Sequence, residues 1–226
     1  MKRASEWFSA DDQGLVAKAV GEAERATSGE IVPVVATRSG RYERAEVTAG
    51  LAAALSSVAA AWLLLQRVVP AAEDWSSGYE PSLGLVTVLA LFAGGFALGA
   101  FAVRLCPPLR RLLTGRRAMR EEVTRAAAEA FERFHVKGTK GATGIIVYLS
   151  LYEHMVVVLG DEPIAEKIDE AAWGGIVACV IGGIKAGKPA QGLCEGIAAC
   201  GELLAKHFPI AAGDVNELGN ELRVVD

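Results

Sequence analysis

The side chains best suited to chemistry in this sequence are carboxylates at the ends of apolar segments. Asp161 follows Gly160 at the end of one apolar run, Glu30 follows Gly29 at the start of another, and Asp169 comes shortly after Asp161. Ca²⁺ and Mg²⁺ prefer carboxylate and carbonyl oxygens that converge at loop ends. We therefore predict that Asp161, Glu30 and Asp169 contribute to a divalent-metal site, with Ca²⁺ or Mg²⁺ as the cofactor.

Helix capping is the structural alternative for these carboxylates. Asp161 precedes a helix that we expect from about Ile164, so its side chain can serve as the N-cap. Asp11 and Asp12 fall in the first turn of another predicted helix, where a negative charge complements the helix dipole. The sequence alone leaves both interpretations open for Asp161.

Signatures of several enzyme classes are absent. The sequence contains no Gly-x4-Gly-Lys-Ser/Thr, no His-Glu-x-x-His and no Gly-x-Ser-x-Gly. A cysteine phosphatase needs an arginine shortly after its nucleophile, but Leu112 and Cys200 stand six residues after Cys106 and Cys194. The three histidines lie on separate elements. These absences favour a protein that is not an enzyme and leave catalytic residues unassigned.

Helical and strand patterns outside two long apolar stretches predict one α/β domain. Ser9 is a helix N-cap, Pro33 favours an edge or bulge in the first strand, and apolar residues recur at helical or β spacing elsewhere. The N-terminal helix and strand are too short to form a core alone, so we expect them to complete the later sheet. The predicted helices are 10–26, 116–135, from about 164, and 189–206; the predicted strands are 30–37, 144–150 and 154–160.

Two charge-free stretches predict a transmembrane hairpin inserted into this domain. The predicted spans are about residues 47–66 and 82–104, with Arg104 as the charge that ends the second stretch, and each holds the ~20 residues that a helix needs to cross the hydrocarbon core. The predicted organisation is residues 1–44 as the first part of the domain, 45–106 as the hairpin, 107–209 as the second part, and 210–226 as a C-terminal tail.

The charges beside the hairpin predict its orientation. The connecting loop is acidic, and Trp62 and Trp75 are placed for an aromatic belt at the membrane interface. Basic residues follow the second span and place both termini in the cytoplasm, so we expect a two-span protein of the inner, cytoplasmic membrane. Two roles fit these arginines: they set the orientation of the hairpin, or they also bind anionic lipid head groups at the membrane surface. They are Arg104, Arg110, Arg111, Arg116 and Arg117.

Further features bear on partners. Gly95 and Gly99 form a Gly-x-x-x-Gly motif that can pack against the other span or against another protein. The N-terminus has a basic pair but no apolar segment behind it, so we do not expect a signal peptide. Lysine and arginine total 23 against 27 aspartate and glutamate residues, which gives no basic surface for nucleic acid.

A set of short blocks in this sequence matches a known family. The blocks are Thr27-Ser-Gly-Glu-Ile-Val-Pro-Val, Phe131 and Phe134, Thr143-Gly-Ile-Ile-Val-Tyr-Leu-Ser, Val156-Val-Val-Leu-Gly-Asp, Trp173, and His207-Phe-Pro. Through them the chain resembles the TPM domain family. The resemblance implies an α/β/α sandwich with a small mixed sheet. Members of the family are linked to photosystem repair, receptor regulation, divalent-metal binding and an acid phosphatase activity.

These observations lead to two hypotheses of function. The first is a membrane-anchored TPM-like domain that acts as a non-catalytic subunit, assembly factor or maintenance factor of a membrane protein complex. Its partners are then the lipid bilayer and another integral membrane protein, with no nucleic acid. The second is a divalent-metal-dependent, acid phosphatase-like hydrolase that uses the region of Glu30 and Asp161.

Overall fold

A computed structural model describes residues 3–65, 68–70, 79–81 and 83–226. A 3₁₀ turn lies at Val136–Gly138. The helices in chain order are α1 (Ala4–Trp7), α2 (Ala10–Glu24), α3 (Glu43–Leu65), α4 (Leu85–Leu105), α5 (Pro107–Thr114), α6 (Arg116–Arg133), α7 (Glu162–Lys167), α8 (Glu170–Lys185) and α9 (Pro189–His207). The strands are β1 (Glu30–Ala36), β2 (Val68–Pro70), β3 (Tyr79–Pro81), β4 (Gly144–Ser150), β5 (Met155–Gly160) and β6 (Arg223–Val225).

Four of the strands form a mixed sheet in the order β5-β4-β1-β6. β1 is parallel to β4 along its whole length, from Glu30 opposite Gly144 to Ala36 opposite Ser150. β5 returns antiparallel to β4, as the sequence predicts for a β-hairpin. β6 pairs in parallel with the last three residues of β1. The segment that the sequence assigns to a C-terminal tail therefore contributes an edge strand.

Side chains of the sheet alternate between two hydrophobic cores, one on each face. On one face, Ile31 and Ile145 pack with α2, α8 and α9. On the other face, Val32 and Ile146 pack with the buried side of α6, which includes Val123. Helices on both faces of a small mixed sheet agree with the layered α/β fold expected from the sequence.

The local signals at helix and strand ends explain several boundaries. Ser9 accepts a hydrogen bond from the backbone N–H of Asp12, whose side chain accepts from the backbone N–H of Ser9, so the predicted cap at the start of α2 is confirmed. Pro33 lies one residue before the part of β1 that pairs with β6, where a missing N–H costs no sheet hydrogen bond. The helix expected from about Ile164 is two helices, because the chain is extended at Ile168 and Asp169.

The chain divides into two compact units. Unit 1 is Met1–Gly40 together with Arg117–Asp226, and unit 2 is Arg41–Arg116. Unit 1 holds the four-stranded sheet, and unit 2 holds α3, α4, α5 and the two-stranded sheet of β2 and β3. Because β1 and β4 are neighbours in the sheet but lie on either side of unit 2 in sequence, unit 2 is an insertion between two halves of one sheet.

Unit 2 contains two helices, α3 and α4, that are long and apolar enough to cross a membrane. Only a small part of each is buried inside the protein. Large apolar side chains such as Leu64 and Val86 are 81 % exposed, and Leu98 is 74 % exposed. Trp62 is half exposed near the end of α3. Trp75, the second residue predicted for the aromatic belt, lies outside the described residues.

Candidate functional site

The predicted carboxylates Glu30 and Asp161 lie at the same end of the sheet, on either side of Gly144. Glu30 is opposite Gly144 in the parallel pair of β1 and β4. Asp161 donates its backbone N–H to the carbonyl of Gly144 (2.9 Å), and its side-chain Oδ2 accepts from the backbone N–H of Gly144 (3.1 Å). Burial raises the pKa of the Asp161 carboxyl above its ordinary value.

The side-chain contact of Asp161 is not the helix cap that the sequence offers as the alternative to metal binding. Asp161 occupies the N-cap position of α7, but its side chain does not cap that helix. It holds the first residue of β4 instead, so it links β4 to the end of β5. Gly144 is needed there because a Cβ would lie 2.2 Å from the carbonyl oxygen of Val136.

Glu30 is buried and binds the C-terminal segment. Its Oε1 accepts from the backbone N–H of Glu217 (3.0 Å), and its Oε2 accepts from that of Leu218 (3.3 Å). Burial is the largest cause that raises the pKa of Glu30, and the nearby carboxylates of Asp214 and Glu217 add to it. Glu30 therefore joins β1 to the segment that leads into β6.

Glu24 is a third carboxylate of this region that the sequence analysis missed. It is the last residue of α2, and its Oε1 accepts from the backbone N–H of Ile31 (2.8 Å). Burial, with the charges of Glu30 and Asp214, raises the pKa of Glu24 to about 8. An acid in the last turn of a helix opposes the helix dipole, which is a signal in the sequence that another interaction holds it there.

Asp169, the third predicted metal ligand, caps a helix. Its Oδ1 accepts from the backbone N–H of Ala172 (2.8 Å) at the start of α8, and its side chain is exposed. Within the described residues, no group of three His, Cys, Asp or Glu side chains is arranged to hold a metal ion. The structure thus brings Glu30 and Asp161 to one end of the sheet and leaves Asp169 apart as a cap; the metal site stays a prediction.

A polar network closes the opposite end of β1 and β4. The buried carboxyl group of Glu153 accepts from the backbone N–H of Ser39 (3.0 Å) and from the hydroxyl of Ser150. The hydroxyl of Ser39 also lies 3.2 Å from that of Tyr148. This network fixes the segment just before the chain leaves unit 1 for unit 2, and the sequence analysis assigned none of its residues.

A groove lies between α2 and α9 in unit 1. One part, of about 740 Å³, lies beside Trp7, Lys18 and Lys188. The adjoining part, of about 530 Å³, has a floor of small side chains including Ala23 and Gly201. We call this second part the acidic groove, because among the described residues its charged lining consists of Glu22, Glu195 and Glu202.

Carboxylates that line the groove influence the pKa of a cysteine on its floor. Cys194 lines both parts of the groove, and its pKa is raised by burial first and then by the negative charges of Asp12 and Glu195. A negative field that reaches the floor favours a positively charged ligand.

In unit 2, the predicted Gly-x-x-x-Gly motif packs the two apolar helices together. A Cβ on Gly95 would lie 2.6 Å from Ser57 Oγ, and one on Gly99 would lie 2.6 Å from the Cβ of Ala53. The hydroxyl of Ser57 donates to the carbonyl of Leu91 (3.0 Å) across the interface. The motif therefore packs α4 against α3, and the two helices run antiparallel. Of the two packing partners that the sequence left open, the structure shows the other apolar helix.

The arginines predicted at the membrane interface differ in their exposure and in their ion pairs. Arg104 is exposed in the last turn of α4, and Arg116 is exposed at the start of α6. Arg117 is exposed and pairs with Glu121 on the next turn of α6 (3.0 Å). Arg111 is partly buried in α5. Arg110 differs from the rest because its side chain is only 14 % exposed and forms an ion pair with Glu46 of α3.

Comparison with known proteins gives one structural similarity. No family model matches the chain, and no curated protein matches it. The fold is similar to the NMR structure of the BA42 protein from the psychrophilic bacterium Bizionia argentinensis, with a TM-score of 0.56 and 18 % sequence identity over 99 % of each chain. At this level of identity, the similarity concerns the fold alone.

Proposed function

We propose that this protein is a membrane-anchored, TPM-like domain that acts as a non-catalytic subunit, assembly factor or maintenance factor of a membrane protein complex. The observation that carries the proposal is the position of unit 2. Its two apolar helices lie between β1 and β4 in the sequence, whereas β1 and β4 are neighbours in one sheet. Unit 1 is therefore connected to the hairpin by the chain at both ends of the hairpin. A domain held in this way meets only partners in or on the same membrane.

The location that we propose is the inner, cytoplasmic membrane, with both termini in the cytoplasm. The support is the positive-inside rule, which relates basic residues beside short loops to the cytoplasmic side. Arg104 is in the last turn of the second apolar helix and Arg111 follows that helix. Arg38 and Arg41 precede the first apolar helix, and Arg44 is in its first turn.

The acidic groove is our candidate for the docking surface. Cytoplasmic loops of membrane proteins are rich in lysine and arginine, so a groove with a carboxylate rim complements them in charge. The floor is apolar, because Ala23 and Gly201 pack against each other there and other alanines line it. The partner that fits is thus a basic, amphipathic cytoplasmic segment of another integral membrane protein.

Affinity capture from native membranes in mild detergent tests this proposal. We expect the double substitution Glu195→Lys and Glu202→Lys to release the partner that co-purifies with the wild-type chain, because it turns two attractive charges into repulsive ones. The control is Glu162→Lys with Glu166→Lys, which makes the same change of charge on exposed residues of α7. A wild-type chain that runs alone on native gels contradicts the subunit proposal. Equal loss of the partner in both double variants contradicts the acidic groove as the docking surface.

The alternative proposal is a divalent-metal-dependent phosphatase. Its support is the position of Glu30 and Asp161 at one end of the sheet. It has less support than the first, because both carboxylates already accept backbone N–H groups. Hydrolysis of a model phosphate ester by the purified chain with Mg²⁺ or Ca²⁺ tests it, and a wild-type chain without turnover eliminates it.

A further inference from the structure

The short helix α5 has its apolar and polar sides reversed relative to a helix of a water-soluble protein. Its three leucines fall within about a 100° stripe of the helix surface. Leu112 is 77 % exposed, Leu113 is 45 % exposed and Leu109 is 37 % exposed. The side chain of Arg110, on another side of the helix, is only 14 % exposed. The leucines thus point away from the rest of unit 2, and a charged side chain points into it.

An ion pair holds α5 in this orientation. Arg110 of α5 pairs with Glu46 in the first turn of α3, and the two side chains are only 14 % and 22 % exposed. Because the pair is largely out of water, separating the two side chains would leave buried charges uncompensated, which opposes movement of α5 away from α3. α5 also packs against α4, so it is held to both apolar helices at the end where α3 begins and α4 ends.

The leucine stripe lies next to the exposed apolar end of α4. Cys106 is the single residue between the two helices, and its non-helical backbone breaks the helical path before the two prolines that begin α5. Leu98, Phe101 and Leu105 of α4 are each more than half exposed. Leu105, the last residue of α4, and Leu109 of α5 are both exposed, so apolar side chains lie on both sides of the break at Cys106.

We propose that α5 is an interfacial helix that lies in the membrane leaflet beside the start of α3 and the end of α4, with its leucine stripe among the acyl chains. The inference rests on the proposed membrane anchoring of α3 and α4. Lipid is the occupant that the structure favours, because α5 packs against the end of α4, whose apolar side chains are exposed and which is long enough to cross a membrane. Arg104 and Arg111 then lie near the head groups, where anionic lipids attract them.

Fluorescence quenching by brominated lipids tests the depth of α5. An environment-sensitive probe is attached to a cysteine at Leu112→Cys, and the full chain is placed in vesicles of phosphatidylcholine and phosphatidylglycerol. Leu98→Cys reports whether α4 is in the bilayer, and Glu166→Cys on the exposed side of α7 provides a water-exposed reference. We expect bromines near the head group to quench the probe at position 112 and to leave the probe at position 166 unquenched.

The labelling background must keep the protein folded. Cys106, Cys179 and Cys194 are replaced, because they are at least partly exposed, whereas the buried Cys200 stays. Leu113→Cys is a second reporter from the same stripe. It keeps the test decisive where the variant at position 112 does not fold.

The outcomes separate this inference from the proposed function. Absence of quenching at Leu98→Cys in vesicles overturns the membrane anchoring itself. Quenching at Leu98→Cys without quenching at Leu112→Cys and Leu113→Cys overturns the interfacial helix and leaves the anchoring in place. A probe on α5 that is exposed to water in pure lipid and protected only in native membranes identifies a protein partner on the stripe, which also overturns the proposal.

Discussion

Replacing Gly99 with leucine is expected to open the helical hairpin of unit 2. A Cβ at this position would lie 2.6 Å from the Cβ of Ala53 and 2.7 Å from the carbonyl oxygen of Ala49. The clash is with small side chains and backbone, which cannot move aside as a long flexible side chain can. Overpacking of this kind costs about 1–3 kcal/mol per site. Gly95→Leu meets Ser57 and Ala54 in the same way.

Hydrogen–deuterium exchange in detergent, resolved by peptide, measures this effect in α3 and α4 alone. A loss of 1–3 kcal/mol corresponds to roughly 5- to 150-fold faster exchange of the hairpin amides. Gly94→Leu is the matched control, because a Cβ there meets nothing within 4 Å. Leucine is also a better helix former than glycine by about 1 kcal/mol, so the control does not weaken the helix. Equal acceleration in Gly94→Leu and Gly99→Leu contradicts the packing described above.

The hairpin shows what sequence patterns can and cannot predict. Charge-free stretches of sufficient length predict α3 and α4 well, because the requirement is local. The motif of Gly95 and Gly99 predicts close packing but not its partner, since an outer protein and the second span need the same small residues. The helix α5 was missed, because eight residues with three leucines and two arginines suit a buried or an exposed helix equally.

The carboxylate region shows a different limit. Asp161 was expected to bind a metal or to cap a helix, and its actual contact with Gly144 depends on the register of β4 and β5. Glu30 contacts the backbone of Glu217 and Leu218, almost two hundred residues away along the chain. Contacts of this kind form only when β6 pairs with β1 in the folded sheet. A strand of three residues in parallel pairing has too short a pattern to be predicted.

The structural contacts of these carboxylates limit what their substitution can reveal about function. Asp161, Glu30 and Glu24 each join separate parts of the sheet domain through backbone N–H groups. Removing one of them therefore disturbs the fold, and loss of function in such a variant does not by itself identify a catalytic or metal-binding residue. Tests of the acidic groove avoid this difficulty, because Glu195 and Glu202 are on the outer surface of α9.

Glu24→Gln is expected to stabilise unit 1 at alkaline pH and to flatten its pH dependence. The pKa of Glu24 rises from 4.5 to about 8 in the folded chain, so the folded state binds its proton more tightly than the unfolded state. Stability from this group is therefore fully present below pH 4.5 and is lost as the pH rises through 8. Glutamine stays neutral throughout and keeps an oxygen that can accept from the N–H of Ile31. Since Glu24 is only partly buried, we expect a gain on the order of 2 kcal/mol at pH 9.

Thermal unfolding of the full chain in detergent at pH 5, 7 and 9 measures the gain from Glu24→Gln. A gain of this size raises Tm by about 4–8 °C at pH 9 and leaves Tm at pH 5 almost unchanged. The control is Glu22→Gln on the same helix, whose exposed pair with Lys18 is worth less than about 1 kcal/mol. Some pH dependence remains in the variant, because burial also raises the pKa of Glu30 and Asp161. A Tm that falls at pH 9 in Glu24→Gln shows that the charged carboxylate stabilises the fold, which contradicts the raised pKa.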